Sequence, residues 1–166
     1  MKALWAPWRI DYLRGPKLRG CFLCRMFKRD RAAEDLWLYR GPRVAVVLNR
    51  YPYTPGHLMV TPLRHVARLA DLTAAESADL MKLTQHATEI LTRAIRAQGF
   101  NVGFNIGEAA GAGLKDHLHL HIVPRWNGDT NCMPVLADTK IMPQALDALW
   151  AELYPAFQKL PGSRHG

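Results

Sequence analysis

"FNVGFNIGEAAGAGLKDHLHLHIVPRW", residues 100–126, carries two strand patterns separated by a glycine-bearing loop. Phe100, Val102, Phe104 and Ile106 alternate with Asn101, Gly103 and Asn105, the period-2 signature of a strand over 100–106. His117, His119 and His121 alternate with Leu118 and Leu120 and run into Ile122 and Val123, which predicts a second strand over 117–123, closed by Pro124. Residues 107–116 form the loop between them. On a strand, positions i, i+2 and i+4 point the same way, so the three histidines share a face while the apolar residues take the opposite one. Packing alone does not explain three imidazoles on one face.

Working outward, "LWLYR" (36–40) and "RVAVVLN" (43–49) read as strands joined by a tight turn at Gly41-Pro42. "YPYTPG" (51–56) is a loop, and "HLMVTP" (57–62) is a strand ended by Pro62. Thr73 and Glu76 form a capping box for a long helix. Leu80, Leu83, Ala87, Ile90, Leu91 and Ala94 recur along it at helical spacing, and Gly99 ends it. Pro143 opens a C-terminal helix that runs to about Phe157. Strands with few helices between them imply an α+β fold with an antiparallel sheet. The chain has 166 residues, which fits one domain over 1–158, with the segment 1–35 included and a disordered tail at 159–166.

Nearly half of the residues are hydrophobic, ample for a core. There is no apolar run of about 18 residues or more, so no membrane span is expected. "MKALWAPWRI" lacks a signal-peptide pattern, and a cytoplasmic location is the expectation. The formal charge of +8 suits an anionic partner, but the basic residues form no block, which argues against a nucleic-acid tail. Three cysteines, with Cys21 and Cys24 in "CFLC" and Cys132 apart, do not make a disulfide scaffold. The C-x-x-C pair has zinc-knuckle spacing but supplies only half of a tetrahedral site.

Two chemistries compete for the histidine strand. One is a metal cage, which the ~13 Å spread of the three positions disfavours. The other is nucleophilic catalysis at phosphorus, because an imidazole with an ordinary pKa of ~6.5 is largely neutral at pH 7. Such a ring needs its other nitrogen held protonated, and it needs donors for the phosphate oxygens. Asn105 and the glycines Gly107, Gly111 and Gly113 are candidates for those donors.

"HLHLHIV" resembles the alternating His motif of the histidine triad (HIT) superfamily of nucleotide hydrolases and transferases. The resemblance extends to "LNRYPYTPGHLMVTPLRHV", similar to that family's nucleoside-binding strand–loop–strand, and to "GFNVGFNIGEAAGAGLKDHLHLHIVPRWNGDTN". "LWAPWRIDYL" and "PRWNGDTNCMPV" are similar to the branch containing diadenosine tetraphosphate phosphorylases. The resemblance implies the HIT fold, a sheet of about five antiparallel strands with one long central helix and a C-terminal helix. It implies that His119 attacks the α-phosphorus and carries a nucleotidyl group, and that His121 bonds phosphate or leaving-group oxygens. Asn105 matches a phosphate contact, Asn49 a position near the ribose, and His57 a histidine lining the nucleotide pocket. Gly111 belongs to the phosphate loop, and Gly113 and Leu114 lie where donors reach the phosphates, without the serine that relatives carry there. Trp126 borders the second half of the substrate.

The same resemblance completes the cysteine pair: His65 and His117 join Cys21 and Cys24 in a structural zinc site. Magnesium accompanies the polyphosphate substrate, and a homodimer is the family's habit. The expected function is cleavage of dinucleoside polyphosphates by phosphorolysis or hydrolysis. A nucleoside phosphoramidate or adenylylated metabolite is the alternative substrate. A basic zinc-bearing module that binds nucleic acid is the alternative of another class.

Overall fold

A computed structural model of the protein describes residues 20–129 and 144–163. Cys132 and Pro143, the segment "LWAPWRIDYL" and the end of "PRWNGDTNCMPV" lie outside them. In chain order the elements are α1 (Phe22–Arg29), the single turn α2 (Ala32–Asp35), β1 (Trp37–Arg40), β2 (Val44–Leu48), β3 (Leu58–Pro62), α3 (Ala74–Ala94), β4 (Gly99–Phe104), β5 (Leu120–Arg125) and α4 (Leu146–Gln158). The strands form one five-stranded sheet in the order β1-β2-β3-β5-β4, with every neighbour antiparallel. This is the expected α+β architecture.

Strand alternation divides the apolar residues between two faces. Leu38, Val44, Val46, Leu48, Leu58, Val60, Leu120 and Ile122 join Leu80, Leu83, Ala87 and Leu91 of α3 and Leu149, Leu153 and Phe157 of α4 in the main core. On the opposite face Trp37, Ala45 and Val47 pack against Leu23, Met26 and Phe27 of α1. Covering on both faces explains why β2 is buried at every position and reads as a continuous apolar run. The far end of the sheet, β5 and β4, is not covered in this way. There His121 and Val123 are half-buried and Arg125 is exposed.

The capping box forms as expected: Glu76 N–H donates to the Thr73 hydroxyl, and the Glu76 carboxylate accepts from Thr73 N–H. The helix stops earlier than Gly99, at Ala94, because Arg96 adopts a left-handed conformation and Ala97 N–H turns back to Leu91 C=O. Gly99 instead opens β4, which closes at Phe104 rather than at 106.

The histidine strand also differs. It spans 120–125 rather than 117–123. Leu118 is held by loop partners and not by a ladder: its N–H donates to Val66 C=O (2.6 Å) and its C=O accepts from the Thr61 hydroxyl (3.0 Å). Pro124 does not close the strand, because it pairs with Phe100 inside it. Its carbonyl accepts from the Thr54 hydroxyl (2.9 Å), on the side where β3 pairing has already ended beyond Ile122. The missing proline N–H therefore removes no ladder bond.

The C-terminal helix begins at Leu146, with Ala145 as its N-cap. The tail expected from 159 is docked through Ser163. Tyr39 OH donates to Pro161 C=O (2.9 Å), and Leu160 packs on the main core.

Candidate active site and metal cluster

His117 and His119 each have one ring nitrogen facing a backbone carbonyl, His121 has one facing the His57 ring, and these partners fix the tautomers. The fully buried His117 donates from Nε2 to Pro62 C=O (2.8 Å). Its Nδ1 lone pair then faces Cys21 Sγ (3.2 Å), Cys24 Sγ (3.5 Å) and His65 Nδ1 (3.3 Å). Cys24 Sγ is also 3.4 Å from His65 Nδ1. Burial holds the His117 imidazole below its ordinary pKa and so keeps the ring neutral. Burial, reinforced by the neighbouring Cys21 thiol, raises the Cys24 thiol.

All four ligand atoms lie within 4.8 Å of one another. A tetrahedral ion with metal–S of ~2.3 Å and metal–N of ~2.0–2.1 Å has S···N edges of about 3.5 Å and an N···N edge of about 3.3 Å. The observed separations match such a polyhedron, and the donor set fits a four-coordinate metal with no open position. His65 is steadied from next door. Arg64 grips the buried Glu76 through two bonds (3.0 and 2.7 Å), tying the loop that carries His65 to the N-terminus of α3.

His119 donates from Nδ1 to His117 C=O (2.8 Å), which leaves its other lone pair on Nε2. Its ring lies 4.9 Å from that of His121, edge to face. Behind His121 stands the fully buried His57. Tyr53 N–H donates to His57 Nδ1 (3.1 Å), so His57 carries its proton on Nε2 and donates it to His121 Nδ1 (2.9 Å). His121 is thereby protonated on Nε2 and offers a donor. Burial, with His119 beside it, pushes its pKa down to about 4, so the ring stays neutral at pH 7. The turn that delivers His57 depends on Gly56. It has φ +75, and a Cβ there would lie 2.5 Å from Ile95 Cδ1.

A cleft of about 470 Å³ opens at His121 and runs along β4 and β5. Asn105 lines it beside His121. Asn49 lies against the His57 ring (Nδ2 3.3 Å from Nδ1), and its Oδ1 accepts from Tyr51 N–H. Gly111 has its N–H bonded to Glu108 C=O (3.0 Å), where it caps a short turn, so this donor is turned inward. Gly113 sits exposed in the loop. The Leu114 side chain packs on the second core and anchors that loop. Trp126 is not brought to the cleft. Parity along β5 puts it with Ile122 and Pro124, and it packs on the main core. The cleft instead gathers Tyr53, Thr54, Asn101 and Arg125, which were not expected there.

The HIT domain model matches residues 30–128, from the end of α1 past the triad strand. The chain belongs to the histidine triad family. Among HIT relatives, the AP-4-A phosphorylase of Mycobacterium tuberculosis (strain ATCC 25618 / H37Rv) is 42% identical over 154 residues, covering 88% of this chain and 79% of that protein. The asymmetrical bis(5'-nucleosyl)-tetraphosphatase of Schizosaccharomyces pombe is 36% identical over 91 residues, covering 55% of this chain and 50% of that one. A Zn-bound histidine triad family protein from Mycobacterium smegmatis superposes with a TM-score of 0.67 at 26% identity, covering 84% of this chain and 94% of that chain. Among the described residues of this HIT chain, no helix is long and apolar enough to cross a membrane.

Proposed function

We propose that the protein cleaves dinucleoside polyphosphates, such as diadenosine tetraphosphate, by nucleotidyl transfer through His119. The observation that carries this reading is the bond from His119 Nδ1–H to His117 C=O, which leaves the Nε2 lone pair available as the nucleophile. Nε2 attacks the α-phosphorus. An N–P bond forms while the bridging P–O bond breaks, and the electron pair leaves with the oxygen of the departing nucleoside triphosphate. The positive charge gained by the ring is stabilised at the Nδ1–H···O=C bond. His121 Nε2–H and the Asn105 amide serve as donors to the phosphate oxygens. Orthophosphate or water then attacks the same phosphorus: an O–P bond forms, the N–P bond breaks with its electron pair returning to Nε2, a proton leaves the attacking oxygen to solvent, and His119 returns to its starting tautomer. Asn49 and His57 stand on the nucleoside side. Gly113 and the backbone of Leu114 are the remaining loop donors, and magnesium accompanies the polyphosphate.

Zinc is the metal we assign to Cys21, Cys24, His65 and His117. The soft thiolates, the two imidazoles and the tetrahedral spacing favour it. The ion would pin α1, the loop at His65 and the triad strand together. No reaction step passes through it. A homodimer and a cytoplasmic location complete the proposal. The dimer is supported by β4, a sheet-edge strand with Val102 exposed and Ile106 exposed just beyond it.

The test is product analysis on diadenosine tetraphosphate. ADP plus ATP formed only with orthophosphate identifies phosphorolysis, and AMP plus ATP without it identifies hydrolysis. Turnover that persists unchanged in His119→Ala refutes the nucleophile.

A further inference from the structure

We infer that the cleft running from His121 toward Arg125 is the subsite for the leaving nucleotide, with Tyr53, Asn101 and Arg125 as its recognition residues. This rests on the nucleotidyl-transfer reading above and extends it. The argument is directional. In-line displacement places the leaving oxygen opposite the attacking nitrogen. The attacking nitrogen belongs to His119. The cleft is lined by His121 and continues away from it along β4 and β5, on the sheet face opposite α3 and α4. We take the His121 side as the direction of departure, because His121 stands beside His119 and lines the cleft, so the group that leaves with its electron pair when the bridging P–O bond breaks enters it.

Its walls suit a nucleoside polyphosphate. His121, Val123 and Arg125 share one face of β5, so the guanidinium stands ~13 Å along the strand from the triad. Arg125 is held rigid by Asp129, which accepts from Nε and Nη2, and by Asn101 Oδ1, which accepts from Nη1 (2.9 Å). With its oxygen used in this way, Asn101 has its NH2 left to offer to a phosphate or ribose oxygen. Tyr53 supplies an aromatic face. Tyr53 is 51% exposed and lines the cleft, and its ring lies against that of His57, with centroids 4.6 Å apart and a 33° tilt. A preorganised aromatic ring, an amide and a guanidinium in one cleft supply a stacking face, a hydrogen-bond donor and a positive charge, the group types that hold a nucleoside polyphosphate.

The experiment compares two substrates in wild type, Tyr53→Leu and Asn101→Ala. Diadenosine tetraphosphate has a large leaving nucleotide; adenosine 5′-phosphoramidate has a single-nitrogen leaving group and cannot fill the cleft. The ratio of their kcat/KM values should fall about tenfold in Tyr53→Leu, as for loss of one base-stacking platform, and severalfold in Asn101→Ala. Calorimetry on His119→Ala protein, with and without each second substitution, should show weakened binding of diadenosine tetraphosphate relative to AMP. A ratio unchanged in both variants, with the two rates falling together, would mean that these residues only support the triad, and it overturns the subsite. Should Tyr53→Leu not fold, Asn101→Ala decides, since Asn101 lies on the cleft face of β4 and belongs to neither core. Wild type that turns over the phosphoramidate and no dinucleoside polyphosphate refutes the underlying functional reading, and the subsite falls with it.

Discussion

His57→Phe isolates the relay behind the triad. The substitution keeps a ring of similar shape in a fully buried position and deletes the donor that sits 2.9 Å from His121 Nδ1. Two consequences follow. Tyr53 N–H and His121 Nδ1 each lose a partner, at about 1–3 kcal/mol for a buried orphan, partly offset by the apolar ring. More specifically, nothing then forces the His121 proton onto Nε2, so the donor facing the phosphate is lost from part of the population. Losing one preorganised transition-state donor lowers kcat by roughly 10²-fold, or about 2.7 kcal/mol. Steady-state kinetics on diadenosine tetraphosphate give the first number, and long-range ¹H–¹⁵N NMR of the imidazoles reports the tautomer directly. His57→Gln, which retains an N–H donor, should recover part of the rate. A His57→Phe enzyme within about threefold of wild type (~0.7 kcal/mol), or one whose His121 remains Nε2-protonated, would refute the relay.

Cys21→Ser should lower zinc content measured by atomic absorption and reduce activity along with it, because His117 carries both a metal-facing Nδ1 and the carbonyl that orients His119; equal zinc in both proteins would exclude the site. Glu76→Gln should destabilise the fold by about 2 kcal/mol in urea unfolding, through loss of the charged pair with Arg64 and weakening of the helix cap. Arg64, then Thr73, holds the Glu76 carboxyl down at about 2; its contribution is therefore full above the ordinary carboxylate pKa and is lost as pH falls from ~4.5 toward 2. His121 acts in a separate window: its folded pKa of about 4 lies below the unfolded ~6.5, so unfolding takes up a proton between these values and stability falls as pH is lowered through them. His121→Gln should flatten that part of the stability curve.

Period-2 alternation made β4 and the triad strand legible, because one face of each packs on the main core while the other does not; β2, covered on both faces, was legible only as a continuous apolar run. Applied to the observed strand bounds, which run past Pro124, the same parity puts Asn101, Asn105, His121 and Arg125 on a common side. It also assigns Trp126 to the core, against the expectation drawn from resemblance. Boundaries were less legible where long-range bonds set them. Leu118 is outside the ladder because Val66 and Thr61 bind its backbone, and these partners are more than fifty residues away in sequence. The end of α3 lies at a left-handed Arg96, a residue type that gives no stop signal. Of the metal cluster, spacing alone revealed only the cysteine pair. His65 and His117 came through likeness to relatives, since their approach depends on how β3 and the triad strand align. Tyr53 sits in an aperiodic loop where no pattern marks the side chain that faces the cleft.

The role of His119 can be tested most directly by trapping. Wild-type enzyme mixed with excess diadenosine tetraphosphate in the absence of orthophosphate, quenched within one turnover and kept alkaline to preserve the N–P bond, is digested and sequenced by mass spectrometry. A nucleotidyl group on the peptide containing residues 117–125, localised to His119 and absent from His119→Ala, is the predicted result. Full catalytic turnover with the nucleotidyl group on another side chain, or with no enzyme-bound nucleotide at any quench time, would contradict it.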